Sequence, residues 1–115
     1  VVWNPWFRYF RYPIPAWFYK VKADILGVST EHMIISELQA EPWVPNGTLS
    51  DQTYLESSKS FDLEQFIANL EFAIKVDFKQ SYLWGVEWWY QQFQNGHPEY
   101  WEVARTLFVE EVVEE

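Results

Sequence analysis

His32-Met33-Ile34-Ile35-Ser36-Glu37 is a short, nearly continuous apolar run that ends on a carboxylate. Its length and β-branched content are those of a strand covered on both faces, not of a strand with one wet side. Ser81-Tyr82-Leu83-Trp84 is a second run of the same kind, read as a strand over residues 80–84. Between the two, Leu63, Phe66, Ile67, Leu70, Ala73 and Ile74 recur at helical spacing. Ser60 and Asp62 compete as the N-cap of that helix, and Asp62 has Gln65 three residues on, as a capping box requires. Strand, crossover helix and strand in this order predict two parallel strands joined right-handedly.

The pattern extends outward from this unit. Upstream, Val1 to Trp3 is β-prone and is broken by Asn4-Pro5, because proline lacks the backbone donor and restricts the residue before it. From Trp6 to Pro15 aromatics mix with Arg8, Arg11 and prolines without any period, which predicts a loop. Pro15 then suits the first position of a helix running to about Leu26, with Phe18, Val21 and Ile25 on one stripe and Gly27 as its stop. Leu38 to Lys59, rich in Pro, Asn, Gly, Ser and Thr, reads as a long loop of the kind that carries function or disorder. Downstream, Gly85 to Tyr90 reads as an aromatic extension, ended by the Asn95-Gly96 turn. His97-Pro98-Glu99 opens a last helix whose Trp101, Ala104, Leu107, Phe108 and Val112 face one way, up to an acidic tail. The order is β-α-β-α-β-α, an α/β class with a parallel sheet, and it fits either a small three-layer sheet or an arc of a (β/α)₈ barrel.

Composition narrows the function classes. The chain has 115 residues, one domain by length, and 49% of them are apolar, which excludes intrinsic disorder as a first reading. Eight Lys and Arg against seventeen Asp and Glu give a formal charge of −9, which repels nucleic acid and anionic membrane surfaces. The same charge argues against reading Arg8-Tyr9-Phe10-Arg11-Tyr12 as a surface for either, and a loop beside a cleft is the expectation there. With no cysteine there is no disulfide framework, thiolate metal site or cysteine nucleophile. His32 and His97 are too far apart in sequence to make a metal centre, and no HExxH, P-loop, GxGxxG or GxSxG pattern occurs, so no metal or other cofactor is expected. No apolar run approaches the roughly 20 residues of a membrane span, and a soluble chain is expected. The compartment stays open: the first residues lack the order of a signal peptide, and Asn46-Gly47-Thr48 is only a formal glycosylation sequon.

In parallel α/β folds ligands bind at the carboxyl ends of the strands. Asn4 follows the first strand, Glu37 ends the second, and Trp84 ends the third with Glu87, Trp88 and Trp89 just beyond. Strict alternation puts Glu37 on the face of Ile35 and Met33. A structural role, capping the next segment or pairing with an arginine, is the plain alternative for that carboxylate. Trp84, Trp88, Trp43 and Trp3 are the candidate aromatic platforms, since a flat ring offers apolar contact area with a polar rim at low entropic cost. Trp17 and Trp101 lie on helical stripes and are expected in the core, as is one of the neighbours Trp88 and Trp89.

Ile34-Ile35-Ser36-Glu37, followed by Leu38-Gln39-Ala40-Glu41-Pro42-Trp43 and then by Tyr82-Leu83-Trp84-Gly85, resembles strands seven and eight of the (β/α)₈ glycoside hydrolases of the large retaining clan. The resemblance implies that Val1 to Asn4 ends strand six, that Glu37 is the nucleophile and that Trp84 floors the sugar subsite. It implies an acid/base carboxyl about 5–5.5 Å from the nucleophile, supplied in the clan by an Asn-Glu pair that ends strand four. No Asn-Glu pair occurs in this sequence. Glu41 and Glu87 lie near strand ends, but neither stands where the clan places its acid. The chain therefore reads as the C-terminal three units of a barrel that cleaves O-glycosidic bonds with retention, inert without the remaining N-terminal barrel units, and prone to associate through open strand edges. A non-catalytic carbohydrate-binding or protein-interaction module is the alternative.

Overall fold

The computed structural model describes residues 1–108. They form a small mixed α/β domain in which two separate two-stranded sheets alternate with helices. The deciding unit is present: β3 (Ile34–Gln39) and β4 (Gln80–Trp84) pair in parallel, with Ile34 opposite Gln80 and Gln39 opposite Trp84. The helix between them, α3 (Leu63–Val76), starts at Asp62, whose side chain accepts from the Gln65 amide at 2.8 Å. Gln65 does not complete the reciprocal box, because its own amide turns along the helix to Asn69 at 2.6 Å. At the far end Asp77 takes the left-handed conformation, tolerated by its short polar side chain.

The first strand departs from expectation. β1 (Val2–Asn4) does not join the parallel sheet; it pairs antiparallel with β2 (Arg8–Phe10), a segment expected as loop. The described residues therefore contain one parallel β-α-β unit, not a three-strand arc. The cause is local. Asn4 Oδ1 accepts from the amides of Trp6 at 2.8 Å and Phe7 at 3.4 Å, an Asx turn that folds the chain back on itself within a few residues.

α1 (Ala16–Leu26) ends at Gly27, where a φ of 67° lets the glycine amide reach back to Ala23 and Asp24. Its buried side is not the expected stripe. Phe18, Val21 and Ile25 are exposed, as is Trp17, while the small Ala23 is buried and Tyr19 packs edge-on against Phe72 of α3. On α3 itself Phe66 is buried while Ile67 and Ile74 are exposed. The stretch expected as a long loop holds a 3₁₀ turn at Leu49–Asp51 and the short helix α2 (Tyr54–Ser58), capped by Thr53. The aromatic extension after β4 is a helix, α4 (Val86–Gln94), and α5 (Glu99–Leu107) follows it. On α5 Tyr100 and Ala104 are buried, Trp101 is partly buried, and Leu107 and Phe108 are exposed; Val112 lies outside the described residues.

The core gathers Ala40, Phe61, Phe66, Trp88, Trp89, Tyr100 and Ala104, so it sits beneath the carboxyl ends of β3 and β4. It is held by aromatic edges and faces, with Trp88 against Tyr100 at 4.6 Å and Phe66 against Trp89 at 5.4 Å between ring centroids. The rest is thin. The Cα radius of gyration is 16.2 Å and the extents are 49 × 44 × 20 Å, whereas a compact chain of this length has a radius near ~13 Å. No helix of the described residues is long and apolar enough to cross a membrane.

Candidate functional site

β3 does not alternate strictly to its end. Between Ile35 opposite Ser81 and Leu38 opposite Leu83 the strand carries one residue more than its partner, a bulge over Ser36 and Glu37. A bulge of this kind re-aims a side chain without ending the pairing. It separates Glu37 from the face of Ile35: Ile35 is half-buried and Leu38 buried, while Glu37 is exposed. Sequence alternation alone could not show this, because the extra residue carries no proline or glycine to announce it.

Beyond β4 the chain turns sharply into α4. Gly85 takes a φ of 140°, and a Cβ placed there would lie 2.6 Å from the Ala40 carbonyl oxygen and 2.9 Å from Glu41 Cβ. Only glycine permits that approach. The contact is reinforced on both sides, since the Ala40 amide donates to the Trp84 carbonyl at 3.0 Å and the Trp89 indole Nε1–H donates to the Ala40 carbonyl at 2.6 Å. From α3, Asn69 Nδ2 donates to the Gln39 carbonyl at 2.8 Å and is itself held by Gln65. Gln39 Nε2 in turn donates to the Glu41 carbonyl at 2.9 Å. The end of β3 is thus fixed by α3, β4 and α4 together.

At this rim an open recess of about 350 Å³ is lined by Glu37, Leu83, Trp84, Gly85, Val86 and Glu87. Trp84 is 46% exposed and presents ring area to solvent. Glu87 stands in the first turn of α4, where a carboxylate complements the helix dipole. Glu41 follows the same strand end, and burial, with Glu87 as a second and smaller cause, holds its carboxyl above the usual range. The recess therefore combines an exposed carboxyl on a bulged strand, an aromatic plate and a second acid, with a third, partly desolvated carboxyl behind the Gly85 crossing.

The remaining candidates lie elsewhere. Trp88 is 2% exposed and packs on Phe61 and Tyr100, so it is a core residue and no platform; its neighbour Trp89 is buried as well, and both belong to the structure. The helical turn of α4 explains why: it directs both rings inward where an extended strand would have split them. Asn4 spends its side chain on the hairpin turn. Trp3 lines a different groove, of about 590 Å³, with Arg8, Tyr9, Asn46 and Lys59. Trp43 is partly exposed in the loop after β3, held by its amide to Ser60 Oγ at 2.9 Å, and does not line the recess. In the sequence Gly85 enters only as the end of the Trp-Gly pair and Gln65 only as a capping-box partner; the i, i+4 polar pair on α3 is the signal that marks the Gln65–Asn69–Gln39 chain. Among the described residues no group of three or more His, Asp or Glu side chains is placed to hold a metal ion. Comparison of the chain with family models, with curated proteins and with solved structures found no match.

Proposed function

We propose that the chain supplies the carboxyl-end rim of a retaining glycoside hydrolase of (β/α)₈ type, with Glu37 as nucleophile and Trp84 as the floor of the sugar subsite. The observation that supports this reading above all is the recess in which Glu37, Trp84 and Glu87 meet at the carboxyl ends of two parallel strands. The thin slab and the exposed Ile34, Tyr82 and Trp84 are in keeping with a sheet that further barrel units cover.

In the reaction the Glu37 carboxylate attacks the anomeric carbon while the glycosidic oxygen takes a proton from an acid and leaves. Water then cleaves the glycosyl ester, giving its proton to the same acid/base group. The acid comes from the remaining N-terminal barrel units on this reading. Among the described residues Glu41 is the carboxyl whose surroundings favour the protonated form.

Binding and chemistry are tested separately. Titration of the chain with cellohexaose, followed by tryptophan fluorescence, should saturate and should be lost in Trp84→Ala. In the full polypeptide that carries these residues, a 2-deoxy-2-fluoro aryl glycoside should label Glu37, and Glu37→Gln should lower turnover by several orders of magnitude while sugar binding persists. A label on Glu41 or Glu87, or near-normal turnover in Glu37→Gln, refutes the assignment. Saturable binding without any labelling refutes hydrolysis and leaves a sugar-binding module.

A further inference from the structure

A groove well over twice the volume of the rim recess lies away from it, an open groove of about 890 Å³ between the Pro13–Pro15 segment, the first turns of α1 and the middle of α3. Its volume lies within the ~300–1,000 Å³ of small-molecule sites. Tyr12, Trp17 and Phe72 supply its aromatic surface, and Trp17 is 63% exposed there rather than packed.

The charge of this groove is opposite to that of the protein. Arg11, Lys20 and Lys75 all line it, three of the eight cationic side chains in a chain of net charge −9, and Glu71 is the one acidic residue among the lining side chains. Among the described residues the one ion pair is Lys59 with Glu56, so none of these three is held in one. An aromatic trough edged by unpaired cations matches one ligand chemistry: an apolar body that lies on the rings, bearing an anionic group that meets the cations.

We propose that this groove binds a small amphipathic organic anion, an aromatic or acyl body carrying a carboxylate, sulfate or phosphate. The rings supply contact area and the cations select the charge. The site is separate from the rim recess, shares no residue with it, and stands whether or not the sugar chemistry does.

The test uses the full chain, ¹⁵N-labelled, with 2-naphthoate as probe and neutral 2-naphthamide as its control. The Trp17 indole N–H resonance, assigned by Trp17→Phe, should shift saturably with naphthoate. The double variant Lys20→Gln/Lys75→Gln, which changes two surface side chains, should weaken binding by roughly 5–20-fold, as the loss of two exposed charge contacts predicts. Raising salt should weaken it in the same direction. Naphthamide should bind at least several-fold more weakly than naphthoate to the unaltered protein, a comparison that needs no variant to fold. Equal affinity for the two probes, an unchanged affinity in the double variant, or shifts centred on Trp84 or on Trp101 would overturn the proposal.

Discussion

Replacing Gly85 by Ala should be among the most damaging single-methyl changes in the chain. Two costs add. The φ of 140° with ψ of 15° lies outside the regions open to a residue with a Cβ, and holding a non-glycine residue there costs about 1–3 kcal/mol. The new methyl would also stand 2.6 Å from the Ala40 oxygen and 2.8 Å from the Ala40 carbonyl carbon, which are backbone atoms and cannot rotate aside. Overpacking of that kind adds about 1–3 kcal/mol. The sum, centred on about 4 kcal/mol, is a large share of the ~5–15 kcal/mol that holds a domain folded. Gly27 supplies the control, since it has a φ of 67° but nothing within 4 Å of a built Cβ. Alanine there should cost only the left-handed conformation, about 1–2 kcal/mol. Urea unfolding separates the two: at a slope of about 2 kcal/mol per molar, Gly85→Ala lowers the midpoint by about 2 M and Gly27→Ala by less than about 1 M. Costs that agree within about 1 kcal/mol would mean that the Ala40 crossing is looser than described, and the account of the rim's rigidity would fail with it.

Removing the Trp89 indole donor in Trp89→Phe leaves the buried Ala40 carbonyl without that partner and should cost about 1–3 kcal/mol by urea unfolding; a change under about 0.5 kcal/mol refutes the bond's importance. Trp88→Ala should cost about 3–5 kcal/mol, as a buried ring does, and a mild effect together with lost sugar binding would restore Trp88 as a platform. Glu41 has a folded pKa raised chiefly by burial and next by Glu87, so the native state holds this proton more tightly than the unfolded chain. Its contribution is therefore present below the ordinary Glu value and is lost as pH rises through the raised one. The Tm of Glu41→Gln should decline less across that window than that of the unaltered protein, and equal slopes would refute the coupling. The two open edges of the β3–β4 sheet predict self-association, read as concentration-dependent elution in size exclusion, and a monomer at every concentration argues against it.

The parallel unit was legible because each of its signals is local and redundant. The apolar runs at Ile34–Ile35 and Tyr82–Trp84, the Asp62 cap and the 3.6-residue stripe of α3 agree with one another, and Gly27 marks its helix end unaided. The first strand was misplaced for a reason that composition hides. Two prolines in Tyr12-Pro13-Ile14-Pro15 argue for loop throughout Trp6–Pro15, yet the Asx turn at Asn4 recruits Arg8–Phe10 into a hairpin first, with Arg8 itself at a φ of 58°. α4 was missed because Trp88, Trp89 and Tyr90 have high strand propensity, and burial of Trp88, Trp89 and Gln92 on one side overrides it. The stripe on α1 misled in the other direction. Apolar periodicity names a face that can be buried, but in this slab α1 meets α3 through Tyr19 against Phe72, and Phe18, Val21 and Ile25 stay in solvent.

The site divides along the same physical line. Glu37, Trp84 and Glu87 come together because each sits within a few residues of the Ala40–Gly85 crossing, which binds two strand ends and a helix start into one rigid elbow. Asn4, Trp3 and Trp43 depend on a hairpin or a loop; the Val1 amino group donates to Gln39 Oε1 and so ties the hairpin to the end of β3, yet none of the three lines the recess. Proximity in the sequence order of strand ends is therefore a weaker guide than attachment to a shared buried contact. On the proposed glycosidase reading a carboxylate that meets an anomeric carbon needs positioning to within about 0.5 Å, and the backbone hydrogen-bonded at Gln39, Ala40 and Trp84 anchors the strand on the carboxyl side of the bulge that carries Glu37. On that same reading, substitutions at Gly85, Trp89 or Asn69 should lower the proposed glycosidase turnover without touching substrate, and a variant of Asn69 that keeps stability but loses turnover would separate positioning from folding.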